Sequence, residues 1–264
     1  MPEKELASGF YDEPVLYDVL HSAGTADEIL GLVRINERLG LGKTGPWLEP
    51  ACGSGRYVRA AIARGIRIAA FDASEAMIRY ARERLGGVRA SHYRLGVASM
   101  EDFDASTLAP GWRFTLAFNP INTIRHLETD LAMQQHLKRV HDALRPGGVY
   151  VIGLSLSMYG LEQPSEDTWE GVRGSLRVKQ VIQFVPPAGP GERFEEVFNV
   201  LHVHRPIETT TIPSSYKLRT YDCAQWQAII DASPFALIGC ADESGVNIDP
   251  PRLGYALWLL RRPR

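Results

Sequence analysis

A glycine-rich turn between an apolar segment and a helix-forming segment constrains the fold of this 264-residue chain most strongly. The segment that ends at Glu49 is predicted to be a short buried strand, and Gly53-Ser54-Gly55 leads from it into a helix that reaches about Arg64. Glycine accepts positive φ angles and lets a ligand approach the backbone closely. The turn therefore predicts a ligand site at the junction of a strand and a helix.

Strands and helices alternate around this turn. Seven strands are predicted, at residues 47–49, 66–71, 93–97, 114–118, 149–154, 236–240 and 255–260. Alternation of this kind favours parallel strands with helices on both faces of the sheet. We therefore predict an α/β fold with a Rossmann-like, seven-stranded, mostly parallel and doubly wound sheet.

The pattern changes in the last third of the chain. Residues 175–184, 194–203 and 211–218 are strand-like without helical periodicity, and a proline- and glycine-rich run at 186–191 predicts a hairpin tip. We interpret this region as an antiparallel β insertion. The predicted domains are a helical lid (1–45), the core (46–160), an insertion that caps the acceptor (161–220) and the rest of the core (221–264).

Composition narrows the class of partner. The chain is 45% hydrophobic and 23% charged with a formal net charge of −2, so it lacks the basic surface that nucleic acid requires. It shows no signal peptide or membrane span, and its three cysteines are far apart in sequence. We expect a cytoplasmic protein with a small-molecule partner, no nucleic-acid or membrane partner and no metal site, and we keep a homodimer as a candidate assembly.

Asp72 follows the predicted second strand, where a carboxylate can accept hydrogen bonds from both hydroxyls of a ribose. A dinucleotide site would have a third glycine where this chain has Val58, and Glu49 would repel a pyrophosphate. A carboxylate at Glu49 instead suits a ligand with a cationic group and no phosphate, such as S-adenosylmethionine (SAM). The alternative without a ligand is a tight strand–helix turn.

Four segments together resemble the class I SAM-dependent methyltransferases. They are Glu49-x-Ala51-x-Gly53-x-Gly55, Asp72, Ser99-Met100-Glu101-Asp102 and Leu144-Arg145-Pro146-Gly147-Gly148. Ala51 stands where glycine is commoner in that family, and Glu49 where aspartate is commoner. The resemblance implies SAM as cofactor, with S-adenosylhomocysteine (SAH) as its product. The cofactor-binding residues that it implies are Glu49, Ala51, Gly53, Ser54, Gly55, Asp72, Ala73, Met77, Ser99, Met100, Glu101 and Asn119.

The segment after the predicted fourth strand concerns the acceptor. Asn122-Thr123-x-x-His126-Leu127 resembles small-molecule methyltransferases, including N-methyltransferases of amino sugars, which implies a catalytic or orienting role for His126. Asn119-Pro120 is half of a motif of enzymes that methylate DNA or protein, but the second proline and the aromatic residue are absent. The alternative for His126 is a packing role.

Two tyrosines near the N-terminus complete the predicted catalytic set. The segment that contains Tyr11 and Tyr17 resembles the lid of these enzymes, where an aromatic face can attract the sulfonium cation. The alternative is an amphipathic helix that only packs on the domain. The predicted substrate residues are Asn122, Trp169, Tyr216 and Arg219. His136 and His141 are interpreted as solvated positions on a long helix.

The predicted function is methyl transfer from SAM to a nitrogen, oxygen or carbon atom of a small molecule by in-line displacement. Two other functions stay open at this stage. One is an NAD-dependent oxidoreductase of the Rossmann type, and the other is a non-catalytic SAM-binding subunit.

Overall fold

The fold is described from a computed structural model, which covers residues 11–264. Five parallel strands form one side of the main sheet: β1 (Trp47–Pro50), β2 (Ile68–Asp72), β3 (Tyr93–Val97), β4 (Phe114–Asn119) and β5 (Leu144–Leu156). The turn that was predicted before the fifth strand, at residues 144–148, lies within β5, because this strand already begins at Leu144. The turn appears there as a shift in the pairing register between β4 and β5.

Three strands continue the sheet beyond β5 in antiparallel pairing. They are β10 (Ala236–Ala241), β11 (Asn247–Ile248) and β12 (Gly254–Arg261), and the full order is β11-β10-β12-β5-β4-β1-β2-β3. All seven predicted strands are present, which confirms the predicted fold class. The eighth strand, β11, was not predicted because its two exposed residues have no sequence signal apart from their pairing with β10.

Seven α-helices accompany the sheets within the described residues: α1 (Pro14–His21), α2 (Thr25–Arg38), α3 (Arg56–Ala63), α4 (Glu75–Arg84), α5 (Ala105–Leu108), α6 (Asp130–Ala143) and α7 (Cys223–Asp231). A 3-10 helix occupies Thr123–His126. Successive residues of the buried strands alternate between two hydrophobic cores, because side chains in a strand point to opposite faces. One core contains residues of α2, α3 and α4, and the other contains residues of α6 and α7.

The insertion is a second, four-stranded antiparallel sheet. Its strands are β6 (Ser165–Arg173), β7 (Leu176–Val185), β8 (Phe194–Arg205) and β9 (Glu208–Arg219), which pair in chain order. The sequence predicted three of these strands and the hairpin between β7 and β8. It missed β6 because most residues of that strand are polar and exposed.

Helix α1 packs against the inner face of the insertion. Leu16, Val19 and Leu20 form a small core with Val178 and Leu201 of the insertion sheet. A Cβ atom at Gly171 would lie 2.3 Å from the Val19 carbonyl oxygen, so only glycine allows β6 to approach the helix this closely.

The predicted domain boundaries stay predictions, and residues 1–10 of the predicted lid lie outside the described residues. Within residues 11–264, no helix is both long enough and apolar enough to span a membrane.

Candidate active site

A cavity of about 410 Å³ lies at the carboxyl ends of the parallel strands. Eight of the twelve predicted cofactor residues line it: Ala51, Gly53, Asp72, Ala73, Met77, Ser99, Met100 and Glu101. The other lining residues are Tyr11, Tyr17, Ser74, Ala98, Thr123, His126 and Leu127. Loops at the carboxyl ends of parallel strands are the usual place for ligands in open α/β sheets. We call this space the cofactor cavity.

Asp72 is held at the cavity wall by two backbone amides. The Gly53 N–H donates to Asp72 Oδ2 at 2.8 Å, and the Ser74 N–H donates to Oδ1 at 2.9 Å. Burial raises the pKa of Asp72, and these two amides oppose the rise. Each carboxylate oxygen has a second lone pair, so both can still accept a hydrogen bond from a ligand hydroxyl.

Glu49 and Asn119 contribute buried oxygens on neighbouring strands beneath this turn. Glu49 is 2% exposed and its Oε2 has no hydrogen-bond partner among the described residues. Asn119 donates from Nδ2 to the Pro50 carbonyl at 3.0 Å, and its Oδ1 is likewise without a partner there. Burial raises the pKa of Glu49 well above its usual value. Two such oxygens fit a ligand that brings hydrogen-bond donors or a positive charge.

Ser54 and Gly55, which were predicted to contact the cofactor, do not line the cavity, and neither do Glu49 and Asn119. The Ser54 hydroxyl donates to Asp18 Oδ1 at 2.8 Å, away from the turn's ligand side. Gly55 has φ +71°, and a Cβ atom there would lie 2.9 Å from the Cβ of Ala81 on α4. Both residues therefore shape the turn and its packing rather than the cavity wall.

A histidine of α6, His136, holds the loop that follows β3 in place. His136 Nδ1 lies 2.9 Å from the Met100 carbonyl oxygen and its Nε2 lies 2.7 Å from the Tyr150 hydroxyl. Because a carbonyl only accepts, Nδ1 donates and Nε2 accepts from Tyr150. The prediction of a solvated His136 is wrong, since the residue is fully buried. Its spacing from the apolar Met133 and Val140 was the signal that places it on the inner face.

A second and larger cavity, of about 850 Å³, lies between the core, α1 and the insertion. It shares four lining residues with the cofactor cavity: Tyr11, Tyr17, Thr123 and His126. The predicted substrate residues Asn122, Trp169 and Tyr216 also line it. Lining residues that the sequence did not single out include Glu28, Arg125, Gln180, Phe184, Glu243 and Tyr255. We call this space the acceptor cavity.

Arg219, also predicted to contact the substrate, does not line the acceptor cavity. Its guanidinium donates to Asp130 Oδ1 at 2.9 Å and to the Glu128 carbonyl at 2.8 Å. It therefore anchors β9 to the start of α6. Two arginines do line the cavity: Arg125, which is paired with Glu195 at 2.8 Å, and Arg56, which is paired with Glu28.

Three aromatic side chains cluster where the two cavities meet. The Tyr11 hydroxyl lies 3.2 Å from His126 Nε2, and the Tyr216 ring lies 5.6 Å from the His126 ring and 5.8 Å from the Tyr11 ring. Burial, together with the nearby Arg125 charge, lowers the pKa of His126 to about 4. His126 is therefore neutral at physiological pH and a weaker base than the sequence suggested.

Tyr17 lies over the glycine turn. A Cβ atom at Gly53 would be 3.3 Å from the Tyr17 ring, so the turn and the ring are in close contact. The Tyr17 ring also lies 4.6 Å from His21, which in turn lies 5.9 Å from Trp169 of the insertion. A row of aromatic rings thus leads from the cofactor cavity along the acceptor cavity.

Asp18, the neighbour of Tyr17, binds α1 to three other parts of the protein. Its fully buried carboxylate accepts hydrogen bonds from Ser54 (2.8 Å), Tyr80 (2.8 Å) and Arg173 (2.7 Å), and it also pairs with Arg59. Although burial alone would raise the pKa of Asp18, these partners hold it at about 2. Sequence reasoning missed this residue because its partners are distant in the chain.

The domain that contains the cofactor cavity matches a known family. Residues 48–148 match the family described as "Methyltransferase domain". No curated protein is similar enough in sequence to match the chain.

Solved structures share the fold over nearly the whole chain. A S-adenosylmethionine-dependent methyltransferase from Clostridium acetobutylicum matches with a TM-score of 0.72 and 14% identity, over 96% of each chain. SAM-bound CalS10, an amino pentose methyltransferase from Micromonospora echinaspora, matches with a TM-score of 0.63 and 18% identity, over 90% of this chain and 89% of that one. The sugar N-methyltransferase KedS8 from Streptoalloteichus matches with a TM-score of 0.65 and 18% identity, over 92% and 88%.

The family match covers β1 to the first part of β5, which are the strands whose carboxyl ends carry the cofactor cavity. The prediction of a methyltransferase is therefore confirmed: residues 48–148 match a methyltransferase domain, and the whole chain has the mostly parallel, Rossmann-like fold of the solved structures.

Proposed function

We propose that this protein transfers a methyl group from SAM to an amine nitrogen of a small-molecule acceptor. The observation that carries the proposal is the meeting of two cavities at Tyr11, Tyr17, Thr123 and His126. One cavity is lined by residues that are predicted to bind SAM, and the other is lined in part by the insertion. A group that passes between two bound molecules would cross this boundary.

The cofactor cavity fits SAM better than a dinucleotide. Asp72 presents two oxygens to a ribose, while the unpartnered buried Glu49 oxygen would accept from the ammonium of the methionine part. Ala73, Met77 and Met100 offer apolar surface for an adenine ring. A pyrophosphate would bring only acceptor oxygens to the unpartnered oxygens of Glu49 and Asn119, which need donors, and this disfavours NAD.

When bound, SAM supplies a methyl group on a positively charged sulfur that is already a good leaving group. The residues of this chain then have to align the acceptor and exclude water, and effective molarity from alignment alone is large. The rings of Tyr11 and Tyr17 line both cavities, where an aromatic face can attract the sulfonium cation. His126 and Tyr11, which are hydrogen-bonded, set the position of the acceptor.

The state of His126 favours nitrogen as the methylated atom. A hydroxyl or carbon acceptor must lose its proton as it attacks, and a histidine with a pKa of about 4 is a weak base for that step. A neutral amine attacks with its lone pair, forms the N–C bond as the S–C bond breaks, and releases its proton to water afterwards. The amine therefore needs little help from a base.

An amino sugar is the acceptor class that we propose, as part of a cytoplasmic reaction with a small-molecule partner. The printed functions of CalS10 and KedS8, an amino pentose methyltransferase and a sugar N-methyltransferase, support this choice. The acceptor cavity combines aromatic rings with the carboxylates of Glu28, Glu170 and Glu243, which can accept hydrogen bonds from hydroxyl and amino groups.

Calorimetric titration with SAH and with NAD tests the cofactor, and methyl-labelled SAM with a panel of aminodeoxyhexose glycosides and matched phenols tests the reaction. We expect SAH to bind, NAD not to bind and label to appear on nitrogen, as located by NMR of the product. Binding of NAD alone would contradict the proposal. SAH binding with methylation of a phenol but not of any amine would retain the cofactor and reject nitrogen.

A further inference from the structure

Three polar side chains form a row across the inner face of the insertion sheet. Gln180 Nε2 donates to Asn199 Oδ1 at 2.8 Å, and Asn199 Nδ2 donates to the Ser214 hydroxyl at 2.9 Å. They lie on the three adjacent strands β7, β8 and β9, and they are 1%, 1% and 5% exposed, respectively. Burying a polar side chain costs stability unless its polar atoms are hydrogen-bonded, so each member of this row depends on its neighbours.

At one end of this row, the side-chain oxygen of Gln180 can accept a hydrogen bond but has no partner among the described residues. Gln180 lines the acceptor cavity, and its Oε1 is buried without a hydrogen bond among the described residues. Its amide nitrogen is committed to Asn199, whose own orientation is fixed by Ser214. A buried hydrogen-bond acceptor without a partner destabilises the protein, and a donor on a bound ligand would recover that loss.

The neighbours of Gln180 indicate which kind of ligand group would bind there. Trp169 is directly opposite Gln180 in the β6–β7 register, and Asp167 is opposite Ile182 on the same face. All of these residues line the acceptor cavity. An indole surface beside an amide oxygen and a carboxylate suits a hydroxylated ring, which has an apolar C–H face and hydrogen-bond donors at its edge.

Gln180 lies opposite Trp169, which is at one end of the row of aromatic rings. The other end of the row is Tyr17, at the boundary between the two cavities. The ring centroids run from Tyr17 to His21 at 4.6 Å and from His21 to Trp169 at 5.9 Å. A ligand group at Gln180 is therefore separate from the atom that would react beside Tyr11 and His126. It would affect which acceptors bind rather than the chemistry of transfer.

We propose that Gln180 is a specificity-determining residue, whose side-chain oxygen accepts a hydrogen bond from a ring hydroxyl of the acceptor. Asn199 and Ser214 are positioning residues, because they hold the Gln180 amide with its oxygen toward the ligand. This inference rests on the proposed function, and it adds that the acceptor carries a hydroxyl group remote from its methylated amine.

The test measures binding of methyl glycosides of aminodeoxyhexoses to the SAH complex, with analogues that each lack one ring hydroxyl. Gln180→Met removes the acceptor oxygen at nearly constant size, and Gln180→Glu keeps an oxygen there. Gln183→Met is the matched control, since Gln183 lies on the same strand but is exposed on the outer face.

We expect Gln180→Met to raise the Kd of the parent glycoside about tenfold and to leave the Kd of one deoxy analogue unchanged. Gln183→Met should retain the preference for the parent glycoside, and so should Gln180→Glu, because a buried protonated carboxyl can donate to Asn199 Oδ1 and still accept from the ligand. Equal losses for every analogue, or no loss for any, would overturn the inference. Binding of SAH is measured separately and answers two questions. If the wild-type protein fails to bind SAH, the proposed function itself is contradicted. If a Gln180 variant binds SAH normally, that variant is folded.

Discussion

The Tyr11 hydroxyl lies 3.2 Å from Nε2 of His126, at the boundary between the cofactor and acceptor cavities. Tyr11 precedes α1, and His126 ends the 3-10 helix after β4, so this contact joins the N-terminal segment to the core. The planes of the two rings are nearly perpendicular, with an interplanar angle of 85°, so that the edge of one ring faces the other ring. The pair can orient an acceptor without either group carrying charge.

Replacing His126 should affect turnover and not cofactor binding. We expect His126→Ala to lower kcat by about 10–100-fold, the scale of one positioning or acid–base interaction, while the Kd for SAH changes less than twofold. Steady-state kinetics and calorimetry measure the two quantities. His204→Ala, at an exposed position of β8, is the control. Loss of SAH affinity together with turnover would show that His126 only supports the structure.

The pH dependence of the same variant separates positioning from general base catalysis. Since the pKa of His126 is about 4, its protonation does not change between pH 8 and pH 5.5. The ratio of wild-type to variant kcat/KM should therefore be constant over that range. A ratio that falls as the pH drops through 6.5 would mean that His126 titrates normally and acts as the base.

Asp72 should control cofactor affinity. Asp72→Ala removes the carboxylate that would bind both ribose hydroxyls and also releases the Gly53 and Ser74 amides. We expect the Kd for SAH to rise at least 100-fold, since hydrogen bonds to a charged group contribute about 1.5–3 kcal/mol each. Glu83→Ala, which removes an exposed carboxylate from α4, should have no effect. Unchanged calorimetric titration of Asp72→Ala would reject the ribose assignment.

Asp18 should control both stability and the placement of Tyr17. Asp18→Ala leaves Arg59, Arg173 and Tyr80 facing a buried gap, and breaking a buried ion pair costs about 3–5 kcal/mol. We expect that loss in the urea-unfolding free energy, together with a lower kcat. Asp27→Ala in the exposed first turn of α2 should change neither quantity. A stable and fully active Asp18→Ala would show that the network is dispensable.

The buried histidines should make the fold sensitive to acid. Burial lowers the pKa of His21, His126 and His136 from an ordinary value of 6.5 to about 4. Between these values the unfolded chain binds protons that the folded chain does not, so the free energy of unfolding falls as the pH drops from 6.5 toward 4. For each group the limit is roughly 1.4 kcal/mol per pH unit.

His136→Gln tests the acid effect at one site. Glutamine can donate to the Met100 carbonyl and accept from the Tyr150 hydroxyl, but it does not titrate. We expect the difference in unfolding free energy between pH 7.5 and pH 5 to shrink in this variant and to persist in His204→Gln. An unchanged difference would mean that His136 is not among the groups responsible.

Local sequence was enough to predict most of the residues that come together around the cofactor cavity. Ala51, Gly53 and Asp72 are set by a strand, a turn and the next strand, and Ser99 to Glu101 follow the third strand of the same repeating unit. Because the carboxyl ends of parallel strands meet at one edge of the sheet, these residues converge wherever the alternating pattern is present. The same logic also included Ser54 and Gly55, which do not line the cavity, since it cannot tell which side of a turn faces the cavity.

The acceptor side depends on packing between elements that are far apart in the chain. The sequence indicated Tyr11, His126 and Tyr216 separately, but only the docking of α1 and the insertion onto the core brings their rings within 6 Å of one another. Gln180 carried no signal at all. Its role depends on a hydrogen bond to Asn199 and on an oxygen left without a partner, which are properties of three-dimensional neighbours.

Periodicity, turn residues and the spacing of acids therefore determined the sheet and the position of its ligand edge, because these are short-range properties of the backbone. The tertiary structure decided the orientation of Ser54, the burial of His136, the ion pairs of Arg219 and the wall of the acceptor cavity. Each of these depends on partners that contact the residue only after the insertion and α1 have packed against the core.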